Sequence, residues 1–154
     1  MALKGDFVLH APEDGTFYMN VTAERGLLVI HDGSGSGAAL DQAAAFVAVP
    51  TGQAPSTTYP AGMLMCDVVD YDLTKTHENF YKNEVQKGGK VQLMRHGWAV
   101  TNKVSGTPTA GQTAFYTNAG LFTPTDPTNG IKVGRFLSAK DADGYAKVEV
   151  NITG

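Results

Sequence analysis

Three carboxylates within six residues are the side chains best placed to do chemistry. Asp67, Asp70 and Asp72 stand in the run Asp67-Val-Val-Asp-Tyr-Asp72, and clustered carboxylates can hold a metal ion or divide acid and base roles. In an extended strand Asp70 and Asp72 share one face, while Asp67 points to the other. No His or Cys stands at ligand spacing beside them. The pattern therefore favours a solvated strand end, with no metal site and no acid/base pair.

Two further patterns suggest chemistry without completing it. His77 has acidic and aromatic neighbours, but catalysis needs a nucleophile or a second base that the spacing does not supply. The loop Gly33-Ser-Gly-Ser-Gly37 lacks both the G-x-G-x-x-G spacing and a following Gly-Lys-Ser/Thr, and the segment after it is too short for a crossover helix. We therefore predict no enzymatic activity, no catalytic residue and no cofactor.

Composition excludes several classes of partner. The 154 residues carry a net charge of -3, with no basic cluster longer than two residues, so no nucleic acid partner is expected. No stretch approaches the ~20 apolar residues that cross a bilayer, and no apolar segment follows Met1 as in a signal peptide. We expect a soluble chain without a membrane partner. Cys66, the single cysteine, stands in an apolar run and is expected to be a core residue.

The pattern of turns and strands favours an all-β fold. Eighteen glycines, seven prolines and 18% charged residues are typical of a turn-rich protein. Residues 146 to 152 alternate between apolar and polar side chains, which predicts a half-buried strand. Asp141-Ala-Asp-Gly144 predicts the turn that precedes it. Similar runs along the chain predict a compact sandwich or barrel of about eight short strands with long loops.

A change of parity marks residues 95 to 97. The apolar residues before this point stand at odd positions, 91 and 93, and those after it at even positions, 98 and 100. Because a shift of one residue moves a strand's apolar set to its other face, the pattern predicts a tight hairpin turn at Arg95-His-Gly97. Gly97 should then have positive φ. Trp98 is expected to cover the core beside this turn.

The N-terminal residues lack a sustained period. We predict an extended arm over residues 1–24, followed by a single β domain over residues 25–154. Phe7, Phe17 and Tyr18 are its possible anchors on a partner. An ordinary edge hairpin remains the alternative interpretation of this segment.

Several ordered segments together resemble the head decoration, or capsid cement, proteins of tailed bacteriophages. The likeness covers roughly residues 25 to 152. It is carried by the segments Leu40-Asp-Gln-Ala-Ala44, Asp67-Val-Val-Asp-Tyr-Asp-Leu-Thr74, Asn83-Glu-Val-Gln-Lys-Gly-Gly-Lys-Val91, Gly97-Trp-Ala-Val-Thr101, Gly106-Thr-Pro-Thr-Ala-Gly111 and Val133-Gly-Arg-Phe-Leu-Ser138.

The resemblance implies a structural role without catalysis. Such a protein is made in the host cytoplasm, binds the outer surface of the expanded head and stabilises contacts between neighbouring major capsid proteins. We expect a homotrimer, because the threefold positions of a shell favour closed threefold symmetry. An alternative is a carbohydrate-binding β module on a virion surface, in which an exposed aromatic ring stacks on a sugar. The predicted capsid-binding residues come from the arm and from the long polar loop at 73–90: Phe7, Phe17, Tyr18, His77, Phe80 and Tyr81.

Overall fold

The strands account for the whole regular structure of the described residues. The computed structural model describes the backbone of residues 3–10 and 13–16, and residues 17–32, 46–51, 56–70 and 84–152 with their side chains. Within these ranges thirteen strands and no helix occur, so the predicted all-β class is confirmed, and no helix there is long and apolar enough to cross a membrane. The strands are β1 (Leu3–His10), β2 (Glu13–Met19), β3 (Leu28–His31), β4 (Phe46–Ala48), β5 (Pro60–Leu64), β6 (Asp67–Val69), β7 (Glu84–Gln86), β8 (Lys90–Met94), β9 (His96–Thr101), β10 (Thr113–Tyr116), β11 (Phe122–Thr123), β12 (Gly134–Phe136) and β13 (Ala146–Asn151).

These strands form three sheets. A six-stranded sheet has the order β1-β9-β13-β12-β10-β11, β2-β4-β3-β5-β8 close into a barrel, and β6 pairs with β7. Neighbouring strands are antiparallel except for the pairs β2–β4 and β6–β7. The strands outnumber the eight that were predicted because many are very short and because the apolar run at residues 63–70 is divided between β5 and β6.

The barrel and the six-stranded sheet share a wall formed by β3, β5 and β8. On β3, Val29 lies inside the barrel, whereas Leu28 and Ile30 face the sheet, and all three are fully buried. The same division holds on the other two strands, where Leu64 and Leu93 take the barrel side and Met63 and Met94 the sheet side. Strands covered on both faces are apolar at consecutive positions. This explains why the predicted buried strand at residues 27–30 has no alternation.

The C-terminal hairpin has the predicted form. β12 and β13 pair antiparallel, with Phe136 opposite Val148. In the turn, Oδ1 of Asp141 accepts the backbone N–H groups of Asp143 and Tyr145, and Gly144 has a φ of +83°. Along β13 the even positions 146, 148 and 150 are buried and the odd ones are more exposed, so the predicted alternation is confirmed.

The change of parity at residues 95–97 has another cause than the predicted hairpin. β8 pairs with β2 and β5 in the barrel, whereas β9 pairs with β1 and β13 in the sheet. The hairpin prediction is therefore wrong, because at Arg95 the chain crosses from one sheet to the other. The two strands present different parities because each has its own core to face. Gly97 has a φ of +141°, so its predicted positive φ is confirmed.

Trp98 lies on the outer face of the six-stranded sheet and is half-buried, so its prediction as a core residue is wrong. Ala99 and Thr101 occupy the inward positions of β9 and are fully buried. The Thr101 hydroxyl donates to the carbonyl of Gly26 at 3.4 Å and accepts the backbone N–H of Lys103 at 3.0 Å. Once its hydroxyl is bonded, threonine can occupy a core position. Side-chain hydrophobicity alone would place Trp98 on the core face of β9, whereas the structure places Ala99 and Thr101 there.

The N-terminal residues pair with strands of the same chain. β1 lies at one edge of the six-stranded sheet beside β9, and β2 closes the barrel between β4 and β8, so β1 and β2 belong to different sheets. Phe7 stands where β1 changes register with β9, because Leu3 pairs with Thr101 and Val8 with Ala99. Four residues there oppose one, which is an extended bulge. The boundary proposed at residue 24 stays a prediction.

Gly134 provides a test of the tight contact between β12 and β13. A Cβ at this position would lie 1.8 Å from the carbonyl oxygen of Glu149, so Gly134→Ala should force the strands apart and cost about 3 kcal/mol or more of unfolding free energy in urea titrations. Gly144→Ala is the control. It also has positive φ, but its Cβ would meet nothing within 4 Å, so it should cost about 1 kcal/mol. Equal losses would contradict the close approach.

Candidate functional site

The carboxylates that suggested chemistry hold neighbouring segments together. Oδ1 of Asp67 accepts the backbone N–H of Arg25 at 2.7 Å, and the Arg25 Nε lies 4.0 Å from Oδ2. Asp70 forms an ion pair with Lys87 at 3.1 Å. Asp72 lies outside the described residues. Within the described ranges no group of three His, Cys, Asp or Glu side chains could hold a metal ion. Asp67 and Asp70 thus attach the ends of β6 to the segments beside it.

Cys66 is a core residue, as predicted. It is 4% exposed and packs with the residues that fill the barrel. Burial raises the pKa of its thiol, which disfavours the thiolate that a nucleophile or metal ligand requires. Cys66 therefore contributes packing and no reactivity.

A groove of about 520 Å³ lies between residues 22–27, β6 and Lys103. Leu27 and Val68 contribute apolar surface to it. Lys103 forms an ion pair with Glu24 at its rim and, through that hydrogen bond, lowers the pKa of the Glu24 carboxyl. Among the described residues, its lining contains carboxylates and one ammonium group, but no histidine or cysteine. This described lining therefore offers no imidazole to activate a nucleophile.

Tyr18 belongs to a row of three side chains on the outside of the barrel. Tyr18 pairs with Phe46 of β4 on one side and with Lys90 of β8 on the other. The two ring centres are 6.2 Å apart, and the Lys90 Nζ lies 5.6 Å from the centre of the Tyr18 ring, within the range of a cation–π contact. Both rings are half-buried and Lys90 is exposed. We call Tyr18, Phe46 and Lys90 the barrel row.

The connection between β6 and β7 begins close to β2, where the end of β6 meets the turn that follows β7. The backbone N–H of Lys87 donates to the carbonyl of Val69 at 2.9 Å, and that of Gly88 donates to the carbonyl of Met19 at 2.8 Å. Since Met19 follows Tyr18, the start of this connection lies near the barrel row. Its other end, at Glu84, lies beside Asp67 at the opposite end of the parallel pair. His77, Phe80 and Tyr81 belong to the connection and lie outside the described residues.

The other predicted binding residues have separate positions. Phe17 packs against the barrel core, and its ring meets the ring of His31 edge-on at 5.2 Å. Phe7 lies in the bulge of β1. Their contacts with a capsid stay predictions. Phe46 and Lys90 were missed because their place beside Tyr18 depends on strand pairing between distant parts of the chain. The aromatic character of Phe46 was the one signal available.

A second set of side chains lies on the outer face of the six-stranded sheet. The Lys147 Nζ is 3.8 Å from the centre of the Trp98 ring, and the Arg135 Nε donates to Oε2 of Glu149 at 2.7 Å. We call this set, together with Lys132, the sheet face. Because an ammonium group covers one side of the Trp98 ring, that side is not a free platform for a sugar. The carbohydrate-binding alternative therefore gains no support from Trp98.

The described residues form an all-β protein that presents two side-chain surfaces, the barrel row and the sheet face. The family model of the phage structural cement proteins (E217 gp24/Pam3 gp6) matches residues 14–151, and the chain belongs to this family. No curated protein sequence matches the chain. The family has a structural, non-enzymatic role, and its members are components of the phage capsid. The resemblance inferred from the ordered segments is therefore confirmed.

The burial of Cys66 predicts a pH-dependent contribution to stability. Because burial raises the pKa of the folded thiol above its ordinary value of 9.0, the unfolded chain loses this proton first as the pH rises. The stabilisation is thus complete below about pH 9 and is lost as the pH rises through the folded pKa. Cys66→Ala should be roughly 1 kcal/mol less stable than the wild type at neutral pH.

Urea titrations of both proteins from neutral pH to about pH 10.5 test this. The difference in unfolding free energy should shrink on the alkaline side, because only the wild type carries the thiol. A difference that is constant over the whole range would show that the thiol does not titrate differently in the two states.

Proposed function

We propose that this cement protein binds the outer surface of the expanded head and stabilises contacts between neighbouring major capsid proteins, with the barrel row as part of its capsid-binding surface. The observation that carries the proposal is the position of Tyr18 and Phe46. Two aromatic rings stand side by side on the outside of a closed barrel, and the connection that bears His77, Phe80 and Tyr81 begins nearby, after β6.

The physical properties of the barrel row suit a protein interface. Aromatic residues are enriched in the buried cores of interfaces, since they contribute a large contact area at little cost in conformational entropy. The rings are half-buried in the free protein, so their remaining surface is available to a partner. The row stands on paired strands of a closed barrel, which holds the rings in place before binding. Preorganisation of this kind reduces the entropy lost on association.

Residues 1–24 supply a second kind of contact in this proposal. β1 is an edge strand that pairs only with β9 among the described strands, and an edge strand can accept a further strand through main-chain hydrogen bonds. We propose that the arm contacts a neighbouring capsid subunit in this way. Because β2 closes the barrel, deleting residues 2–20 would also disrupt the fold. Single substitutions therefore test the interface better than truncation.

Tyr18→Ala should weaken binding to expanded capsids by about tenfold or more, which corresponds to about 1.4 kcal/mol. The measurement is the concentration of protein that saturates purified expanded capsids in co-sedimentation. Tyr59→Ala is the matched control, since Tyr59 is 73% exposed and precedes β5, two strands away from Phe46 around the barrel. It should bind like the wild type. Unchanged binding by Tyr18→Ala would remove the barrel row from the interface, and failure of the wild type to bind would overturn the proposed function.

We also propose a homotrimer on the capsid. Three linked copies raise the effective local concentration of each contact, which can increase the overall affinity by roughly 10² to 10⁴. Light scattering of the purified protein, or of protein released from capsids by mild denaturant, should give three times the chain mass of 16.3 kDa. A monomer in solution together with isolated single copies on the capsid would contradict the trimer. The separate proposal of capsid binding would not be affected by that result.

A further inference from the structure

The sheet face is a continuous row across three strands. Pairing places Arg135 of β12 opposite Glu149 of β13, and Glu149 opposite Trp98 of β9. Paired residues project from the same side of a sheet, and Lys147, two residues from Glu149, shares that side. The inward side of these strands is filled by core residues. The row therefore presents an aromatic ring, two cations and a carboxylate outward together.

A polar pocket of about 270 Å³ opens beside this row. It is lined by Lys132, Gly134, Arg135, Glu149 and Asn151. Gly134 contributes no side chain, and the close approach of Glu149 leaves no room for a Cβ there. The pocket therefore lies between two cations and one carboxylate, with one amide at its side. A partner's side chain with hydrogen-bond acceptors fits this lining.

The charge of the sheet face is opposite to that of the chain. The chain carries a net charge of -3, whereas among the described side chains of this face Lys132, Arg135 and Lys147 are opposed by Glu149 alone. The Arg135 side chain is 61% exposed, and one of its five N–H groups is engaged with Glu149. The remaining four N–H groups are on the two Nη atoms, and the pair at the end of the guanidinium can form a fork to a further carboxylate. An acidic partner surface is therefore complementary to this face.

From this geometry we infer that the sheet face is a docking surface for carboxylate side chains of the major capsid protein, separate from the barrel row. That the partner is the major capsid protein rests on the proposed function. That the groups bound are carboxylates rests on the charges and the pocket of the sheet face. One partner carboxylate enters the pocket between Lys132 and Arg135, and a second meets Lys147 over Trp98. Tryptophan and arginine are the residue types most enriched at energetic centres of interfaces.

The position of the sheet face gives the molecule two opposed surfaces. β2 and β4, which carry Tyr18 and Phe46, contribute no described residue to the core between barrel and sheet. They lie on the side of the barrel away from the shared wall, whereas the sheet face lies beyond that wall. A protein with contacts on both sides can touch two capsid subunits at once. The charged contacts of the sheet face would mainly accelerate and orient association.

The test reverses Lys132 and Lys147, the two lysines of the sheet face, neither of which forms an ion pair with a described residue. About tenfold more Lys132→Glu/Lys147→Glu than wild-type protein should be required to saturate expanded capsids. Binding of this variant should also depend less on salt concentration than binding of the wild type does. Lys132→Arg/Lys147→Arg keeps both charges and should bind like the wild type. Lys103→Glu/Lys140→Glu makes the same change of net charge at lysines outside both the sheet face and the barrel row, and should retain the salt dependence of the wild type.

A second arm identifies the partner's chemistry. Amidation of the capsid's surface carboxylates before mixing should weaken wild-type binding but should not weaken binding of Lys132→Glu/Lys147→Glu further, because in the variant it removes a repulsion between carboxylates. Wild-type binding that is unchanged by amidation, or equal saturation and salt dependence of the wild type and the double reversal variant, would overturn the inference. If the wild type itself fails to bind expanded capsids, the proposed function fails instead.

Discussion

The structure depends on three strands that are buried on both faces. β3, β5 and β8 form part of the barrel and at the same time cover the inner side of the six-stranded sheet. Complete burial of one Leu, Ile or Met side chain contributes about 1.5–3 kcal/mol. Six of them across this wall therefore outweigh any single polar contact described in the protein. A polar residue on either face of the wall would leave a buried group without water.

A buried hydrogen bond adds direction to this apolar contact. The Tyr116 hydroxyl, on β10 of the sheet, donates to the carbonyl of Thr58 at 2.8 Å and lies 2.7 Å from the Thr58 hydroxyl. Thr58 stands just before β5, so the bond joins the shared wall to β10 of the six-stranded sheet. Burial raises the pKa of the Tyr116 phenol, which keeps it a neutral donor. Apolar packing is not directional, whereas this bond fixes the relative position of barrel and sheet.

A fixed relation between barrel and sheet suits a cement protein. The family role is structural, and the two surfaces that we propose for capsid binding stand on opposite sides of one shared wall. Exposed ion pairs such as Arg135–Glu149 contribute little stability singly, so the sheet face is better suited to recognition than to folding. The aromatic rings of the barrel row offer contact area instead. Several modest contacts repeated in an oligomer give strong attachment to a shell without a deep binding pocket.

Local patterns in the sequence determined a definite part of this protein. The alternation along residues 146–152, the turn at Asp141–Gly144 and the positive φ of Gly97 follow from side-chain period and backbone sterics, which act between near neighbours. Ordered segments also identified the family. Only the tertiary structure decided that the chain changes sheets at Arg95, that Trp98 faces outward and that Phe46 and Lys90 flank Tyr18. A period of two states which side chains share a face, but it does not state what covers that face. The residues that cover a face, and the neighbours of each side chain on it, come from strands that are far apart in the chain. No local pattern specifies how such strands pair.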